Sequence, residues 1–449
     1  MKILILTYIA IIFCGALALM LPFTHNGDLS FLEAFFTAAS AFTCTGLIVK
    51  DTGQDFTIYG QGVIITLIQL GGFGYMSMLG LLYVLMRRRL SHRERNMLKE
   101  SLNYPTYDGM IFFIRKVLLF VLILEGIGTL LLWGYFIFYS DVEVLRAFWL
   151  GFFHAISAFN NAGFSVFSTN LMAYRDNLFI NLVICSLVII GGLGYIVMIE
   201  VQFFVNSILS RWIKRQVHPL VLSLHSKIVL IVTFCLILAG CGFTLLLEWD
   251  NTKSIGEYSF YSKFLSSFFM SVNYRTSGFN TIDLSTLRDS TMFFSSLLMV
   301  VGGAPGGAAG GIKVTTFAVL IAFCFALFFD TDVRLFRRRV AESSVKKAVV
   351  MLIIASSCII FANLVVSFFE KDTRFALIMF EVCSAFSTVG VSTGNGGVLS
   401  LVANFSTIPQ LMIIFLMIMG KVGTLAFWLA FVGKRKQSHI KLPEEKVII

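Results

Sequence analysis

Four short polar stretches, each ending in glycine, hold the residues best suited to chemistry in this chain. They are Thr43-Cys44-Thr45-Gly46, Asn160-Asn161-Ala162-Gly163, Arg275-Thr276-Ser277-Gly278 and Ser387-Thr388-Val389-Gly390. Counting back from each glycine, Phe stands ten places earlier (Phe36, Phe153, Phe268, Phe380) and an aromatic ring four places earlier (Phe42, Phe159, Tyr274, Phe386). Ser-Ala precedes that ring in three copies, and Val272-Asn273 replaces it in the third. The side chains before glycine vary while glycine does not, so the constant element is the backbone. Peptide carbonyls in such a stretch can replace the hydration shell of a cation, and glycine permits angles that a Cβ forbids. The candidate ion-contacting residues are Thr43, Cys44, Thr45, Gly46, Asn160, Asn161, Ala162, Gly163, Thr276, Ser277, Gly278, Thr388, Val389 and Gly390. Asn160 and Asn161 can also bond to the backbone and hold the stretch, and Arg275 can brace the third copy from behind.

These residues need elements to position them. The glycines are spaced by 117, 115 and 112 residues, and such a period signals structural repeats. We assign residues 1–100, 101–210, 211–345 and 346–449 to four repeats, the last with a cytoplasmic tail. Each reads as an outward helix, a short helix, the Gly-ended stretch and a return helix. The outward helices cover 3–21, 116–139, 228–247 and 349–369. The short helices cover 31–42, 147–159, 264–274 and 375–386, and the return segments 61–86, 178–204, 292–329 and 411–432. A short helix cannot cross a bilayer, which takes about 20 apolar residues. Its last carbonyls lack helical partners and survive in a membrane only where backbone lines water or is buried in protein. Four such C-termini, each the negative end of a helix dipole, would favour a cation at a shared point. The expected fold is therefore an all-α integral membrane protein. It has four membrane helix–re-entrant pore helix–membrane helix repeats around one central pore.

Composition agrees with a membrane location. Hydrophobic residues make up 57% and charged residues 13%, against about 25% charged in soluble domains. The first apolar run reads as a retained helix, since no small-residue cleavage site follows it. The net charge of +10 is concentrated after the return segments, at Arg87–Lys99, Arg211–Arg215, Arg334–Lys347 and Lys434–Lys436. The positive-inside rule puts these clusters and both termini in the cytoplasm of a multi-pass plasma-membrane protein. Topology thus accounts for the basic residues, and nucleic acid is not implied; membrane lipid is the expected surrounding. The eight cysteines show no CxxC pair or ligand spacing, so neither a disulfide framework nor a structural metal is expected, and no cofactor is implied.

Two further features mark the return segments. Six glycines and Pro305 fall within Gly302–Gly311. Gly costs about 1 kcal/mol and Pro about 3 kcal/mol in a helix relative to Ala, so the third return helix should be broken in mid-membrane. Gly302, Gly303, Pro305, Gly306, Gly307, Gly310, Gly311 and Lys313 would form a gating loop across 302–313, the alternative being a packing kink. Lys421 lies in an apolar run beside Gly420 and Gly423. An intramembrane charge marks a pathway or a partner: Lys421 is either a barrier that holds this loop or one half of an ion pair, with Glu125 or Glu381 as the acid. Glu125 is expected to pair with a neighbour, and His154 to pack.

The four Gly-ended copies, the stretch Gly302–Lys313 and Gly420-Lys421-Val422-Gly423 resemble the superfamily of potassium transporters, the Trk/Ktr/HKT group, and most closely its bacterial Ktr membrane subunits of the KtrB/KtrD type. The resemblance covers the whole chain. It implies K⁺ uptake, in some members coupled to or stimulated by Na⁺. It also implies a homodimer with one pore per subunit and a cytosolic ring of nucleotide-binding RCK regulatory subunits. The family commonly has Arg where Lys421 stands. Some plant relatives favour Na⁺ and carry Ser at the first glycine; Gly46 here points to K⁺. A Na⁺ or mixed-cation pathway is the alternative on the same fold. An enzyme is disfavoured, because no HExxH, Walker or GxSxG pattern is present. A carrier with rocking halves predicts inverted repeats and paired broken helices, whereas these repeats run in one direction and the sequence marks only one clear break.

Overall fold

The computed structural model describes residues 2–74, 110–140, 142–214, 222–394 and 398–431. The end of the first return segment, the basic cluster at 87–99, Arg215 and the cluster at 434–436 lie outside the described residues.

Helices dominate. In chain order the described helices are α1 (Lys2–Leu19), α2 (Phe31–Thr43), α3 (Ile58–Gly72), α4 (Met110–Tyr139), α5 (Val144–Phe159), α6 (Leu178–Gly192) and α7 (Tyr195–Lys214). They continue with α8 (Leu224–Glu248), α9 (Phe260–Asn273), α10 (Asp289–Val300), α11 (Val314–Phe328), α12 (Glu342–Phe369), α13 (Phe375–Phe386), α14 (Thr407–Val422) and α15 (Thr424–Phe431). Helices α7 and α12 run across the expected bounds at 210/211 and 345/346. A small hairpin, β1 (Arg334–Leu335) with β2 (Arg338–Arg339), separates α11 from α12.

Local signals set the helix starts. Ser30 and Glu33 form a reciprocal capping box on α2, which satisfies two otherwise orphaned groups. Thr57, Asn177, Ser223 and Ser259 accept from the first-turn amides of α3, α6, α8 and α9. Among the described residues, three stretches are long and apolar enough to cross a membrane as single helices: Phe112–Tyr139, Leu224–Glu248 and Glu342–Phe369. Their exposed faces carry large apolar side chains such as Leu130, Phe234 and Leu364, the expected surface against lipid.

The return segments differ from expectation in one respect. The third is interrupted between Val300 and Val314. The second and fourth, expected to be continuous, are also bent, by 110° between α6 and α7 and by 101° between α14 and α15. The corners are Gly194 (φ 80°) and Gly423 (φ 90°), a region that is costly for other residues. Near Gly194 the bend brings Tyr195 N within 3.2 Å of Gly306 O. Counting broken helices therefore no longer separates this chain from a rocking carrier.

Glycines also set how closely the helices pack. A Cβ on Gly71, Gly191 or Gly420 would overlap the carbonyl oxygen of Phe42, Phe159 or Phe386 respectively. Helices α3, α6 and α14 thus each rest on the carbonyl of the aromatic residue at or near the end of α2, α5 or α13. The rings themselves are wedges: Phe42, Phe159, Tyr274 and Phe386 are fully buried. The earlier ring is buried at Phe36, Phe153 and Phe380, whereas in the third repeat Phe269 takes the buried place and Phe268 is half-buried. Gly420→Ala should destabilise the protein by about 1–3 kcal/mol, the usual cost of overpacking. Thermal unfolding in detergent should show a lower Tm, and an unchanged Tm would contradict this packing.

Candidate functional site

The four Gly-ended stretches meet. A Cβ built on Gly163 would lie 2.6 Å from Ser277 O, and one on Gly278 would lie 2.9 Å from both Val389 O and Gly163 Cα. A Cβ on Gly46 would overlap Ala162 O, and one on Gly390 would overlap Thr45 O. Each glycine therefore abuts the carbonyl that precedes the glycine of the next copy, and the fourth closes on the first. All four glycines have positive φ, between 69° and 97°. Two places earlier, Cys44, Asn161, Thr276 and Thr388 also have positive φ. The four stretches share this backbone form although their side chains differ.

The Ser of the Ser-Ala pair has a role that spacing alone did not reveal. Ser40 Oγ accepts from Gly46 N at 3.1 Å, and Ser384 Oγ accepts from Gly390 N at 3.0 Å while donating to Val391 O at 2.6 Å. Ser157 Oγ donates to Phe164 O at 2.7 Å. Thr45, Ala162 and Val389 amides donate back to Ser40, Ser157 and Ser384 carbonyls at 2.8–2.9 Å. The third copy has Val272 in place of Ser, and Ser277 N donates to Asn273 O instead, at 3.0 Å. Because both ends of a buried peptide need partners, the serine braces the stretch through its backbone.

The ring has two distinct sides. A cavity on one side is lined by all four glycines together with Asn280 and Asp283. On the other side lies the segment 302–313. Gly310 N donates to Thr388 Oγ1 at 3.0 Å, and a Cβ on Gly302 would sit 3.5 Å from Thr276 Cγ2. Three cationic side chains bond to carbonyls of this segment. Arg275 Nη2 donates to Gly302 O at 3.2 Å, Lys421 Nζ to Ala308 O at 2.7 Å and Lys313 Nζ to Ala309 O at 2.5 Å. Ala304 N reaches Gly192 O at 3.0 Å, and Gly302 N and Ile312 O close the base of the loop at 2.9 Å.

Of the three partners that the sequence offers Lys421, the loop is the one it bonds. Glu381 instead accepts from Ser392 Oγ at 2.7 Å and Val402 N at 3.2 Å. Glu125 accepts from Gln69 and Asn160. Asn160 projects toward those two side chains, and the Asn161 amide meets the Thr276 hydroxyl at 3.2 Å. Thr43 Oγ1 bonds Ala39 O at 2.7 Å and the Thr45 hydroxyl, also at 2.7 Å. Cys44 Sγ faces Ile68 O at 3.5 Å. His154 is buried, bonded to Leu150 O and Ser165 Oγ, and stacked on Phe167. Arg275 reaches past its own stretch to the loop, a link that its position in the sequence did not disclose. Among the described residues, no group of three or more His, Cys, Asp or Glu side chains could hold a metal ion.

A family model for the TrkH cation transport proteins matches residues 1–441. The Ktr system potassium uptake protein B of Bacillus subtilis is 35% identical, over 99% of this chain and 96% of its own length. The potassium/sodium uptake protein NtpJ of Enterococcus hirae is 33% identical, over 98% of this chain and 95% of its own. Among solved structures, the potassium transporter TrkH of Vibrio parahaemolyticus superposes with a TM-score of 0.74 at 15% identity, covering 95% of this chain and 83% of that one. These relatives are transport proteins rather than enzymes, and their fold agrees with the helical architecture described above. With a matching model and near full-length relatives, this multi-pass membrane chain belongs to the TrkH family of cation transport proteins.

Proposed function

We propose that the chain is a K⁺ uptake pathway in which four re-entrant segments form a selectivity filter. The observation that carries this reading is the closed ring of glycines and carbonyls, in which every backbone turns at the same two positions. Thr45, Ala162, Ser277 and Val389 then supply carbonyls to a dehydrated cation, with the C-termini of α2, α5, α9 and α13 adding their negative dipole ends. The segment 302–313 closes the path below the filter, and Lys421, Lys313 and Arg275 hold it there. Asp283 at the mouth raises the local concentration of cations. By the resemblance, potassium is favoured over sodium because the first copy keeps glycine, at Gly46. The Na⁺ or mixed-cation alternative has one specific support, the potassium/sodium name of the Enterococcus hirae relative.

Expression in cells lacking their own K⁺ uptake systems tests the reading. Growth at low external K⁺, with K⁺ uptake little inhibited by Na⁺, is the expected result; equal uptake of both ions would favour the alternative. Removing one serine should have a graded effect. Ser384→Ala strips Gly390 N and Val391 O of a buried partner, each bond being worth about 0.5–1.5 kcal/mol. The K⁺ to Na⁺ uptake ratio should fall severalfold, and a wild-type ratio would contradict a bracing role.

We also carry forward two assemblies on resemblance: a homodimer with one pore per subunit, and a cytosolic nucleotide-binding RCK ring that sets whether the loop opens. The relatives' names speak of a Ktr system, and the two assemblies rest on the resemblance. Co-purification with such a ring, and the mass of the detergent-solubilised protein, check them.

A further inference from the structure

A buried carboxylate without a cationic partner lies behind the second Gly-ended stretch. Glu125, on α4, is 4% exposed. Its two oxygens accept from Gln69 Nε2 at 3.1 and 3.0 Å, and Oε1 also accepts from Asn160 Nδ2 at 2.9 Å. Asn160 Nδ2 reaches Gln69 Oε1 at 3.0 Å as well. No ion pair to Glu125 occurs among the described residues. The cluster therefore joins α3, α4 and the residue that ends α5, across two repeats.

The geometry makes Asn160 tightly held. A Cβ on Gly72 would overlap Asn160 Oδ1, so glycine at 72 lets the amide lie flat against α3. Tyr195 in turn donates its hydroxyl to Gly72 O at 2.7 Å. Asn160 immediately precedes Asn161, whose positive φ starts the stretch and whose amide touches Thr276 of the third copy. A shift at Asn160 would thus reach two of the four segments. The equivalent places elsewhere are wired differently. Thr43 bonds back to its own helix, Arg275 reaches Gly302, and Ser387 Oγ has no hydrogen-bond partner among the described residues.

We propose that Glu125 is a positioning residue. Through Asn160 it fixes the second coordinating segment, and so sets the preference for K⁺ over Na⁺. The inference rests on the filter reading above. Hydrogen bonds to a carboxylate are stronger than those between neutral groups, and a buried carboxylate is retained only where its lone pairs are used. Whether discrimination comes from cavity size or from carbonyl field strength, the carbonyls of Ala162 and its neighbours have to be held.

The test compares Glu125→Gln, Glu125→Ala, Asn160→Ala and the double alanine variant at matched membrane abundance, with K⁺ uptake measured against Na⁺. Glu125→Ala and Asn160→Ala should each raise the KM for K⁺ and lower the K⁺ to Na⁺ ratio about tenfold, the scale set by leaving buried donors unpaired. Maximal rate should change less. Glu125→Gln should stay near wild type, since an amide oxygen still accepts from Asn160. The double variant should be no worse than either single one. A wild-type KM and ratio in Glu125→Ala, or full additivity in the double variant, overturns the proposal. If Glu125→Ala fails to accumulate, Asn160→Ala and Glu125→Gln decide alone: the proposal stands if Asn160→Ala loses the ratio while Glu125→Gln keeps it, and falls otherwise. Gly278→Ser run alongside separates the two readings. If it too keeps the ratio, the filter itself is misassigned; if only the Glu125 and Asn160 variants keep it, this inference alone fails.

Discussion

Gly278→Ser is expected to abolish the preference for K⁺ while leaving the protein in the membrane. Gly278 has φ of 85°, which a side chain disfavours by roughly 1–2 kcal/mol. Its Cβ would also lie 2.9 Å from Gly163 Cα and Val389 O and 3.3 Å from Thr45 O. Those three atoms belong to the other three copies, so one substitution disturbs the whole ring. None of them is the end of a flexible side chain that could move aside at low cost. The KM for K⁺ should rise by at least about tenfold, which corresponds to about 1.4 kcal/mol, and Na⁺ should become a competing substrate. Uptake kinetics against both ions check this. Gly62→Ser serves as a control, because nothing among the described residues lies within 4 Å of its Cβ position; it should behave as wild type.

The second large effect concerns the loop. Lys421→Met removes the donor to Ala308 O while keeping the bulk of the side chain. A hydrogen bond from a charged group contributes about 1.5–3 kcal/mol, so the closed arrangement should lose roughly tenfold or more in population. K⁺ flux without any activating partner should rise accordingly. Lys421→Arg, which restores a donor, should return flux to the low wild-type level. A chain with residues 304–309 replaced by a shorter linker should conduct at least as well as Lys421→Met. If both variants conduct like the wild type, the segment is a packing kink, and the three cations serve only to satisfy its carbonyls.

Much of this arrangement could be read before any coordinates. The four copies were visible because the rings and glycine recur at fixed offsets, and those offsets reflect a short helix wedged by Phe and followed by a turn that excludes Cβ. The break in the third return segment was visible because six glycines and a proline cannot continue a helix. The bends at Gly194 and Gly423 were not. A single glycine in an apolar run is common in membrane helices and is usually a packing site; here Gly71, Gly191 and Gly420 do pack, while Gly194 and Gly423 turn the chain. Which role a glycine takes depends on what lies across from it, and composition does not contain that. The same limit applied to Lys421. Composition offered Glu125 and Glu381 as partners, but both acids are already occupied by amide and hydroxyl donors, whereas the carbonyl that Lys421 meets lies 113 residues away in sequence. The bracing serines were in plain view as Ser-Ala, yet their targets are backbone atoms six or seven residues on, which a linear pattern does not specify.

Bare peptide oxygens from all four copies are expected to hold one cation. The most direct measurement is anomalous diffraction from crystals grown in Rb⁺, an electron-dense substitute for K⁺. A peak on the axis between the carbonyls of Thr45, Ala162, Ser277 and Val389, absent from crystals of Gly278→Ser, is the result this account predicts. A clear map with no peak there, or with Rb⁺ bound instead by side-chain oxygens elsewhere, would contradict it.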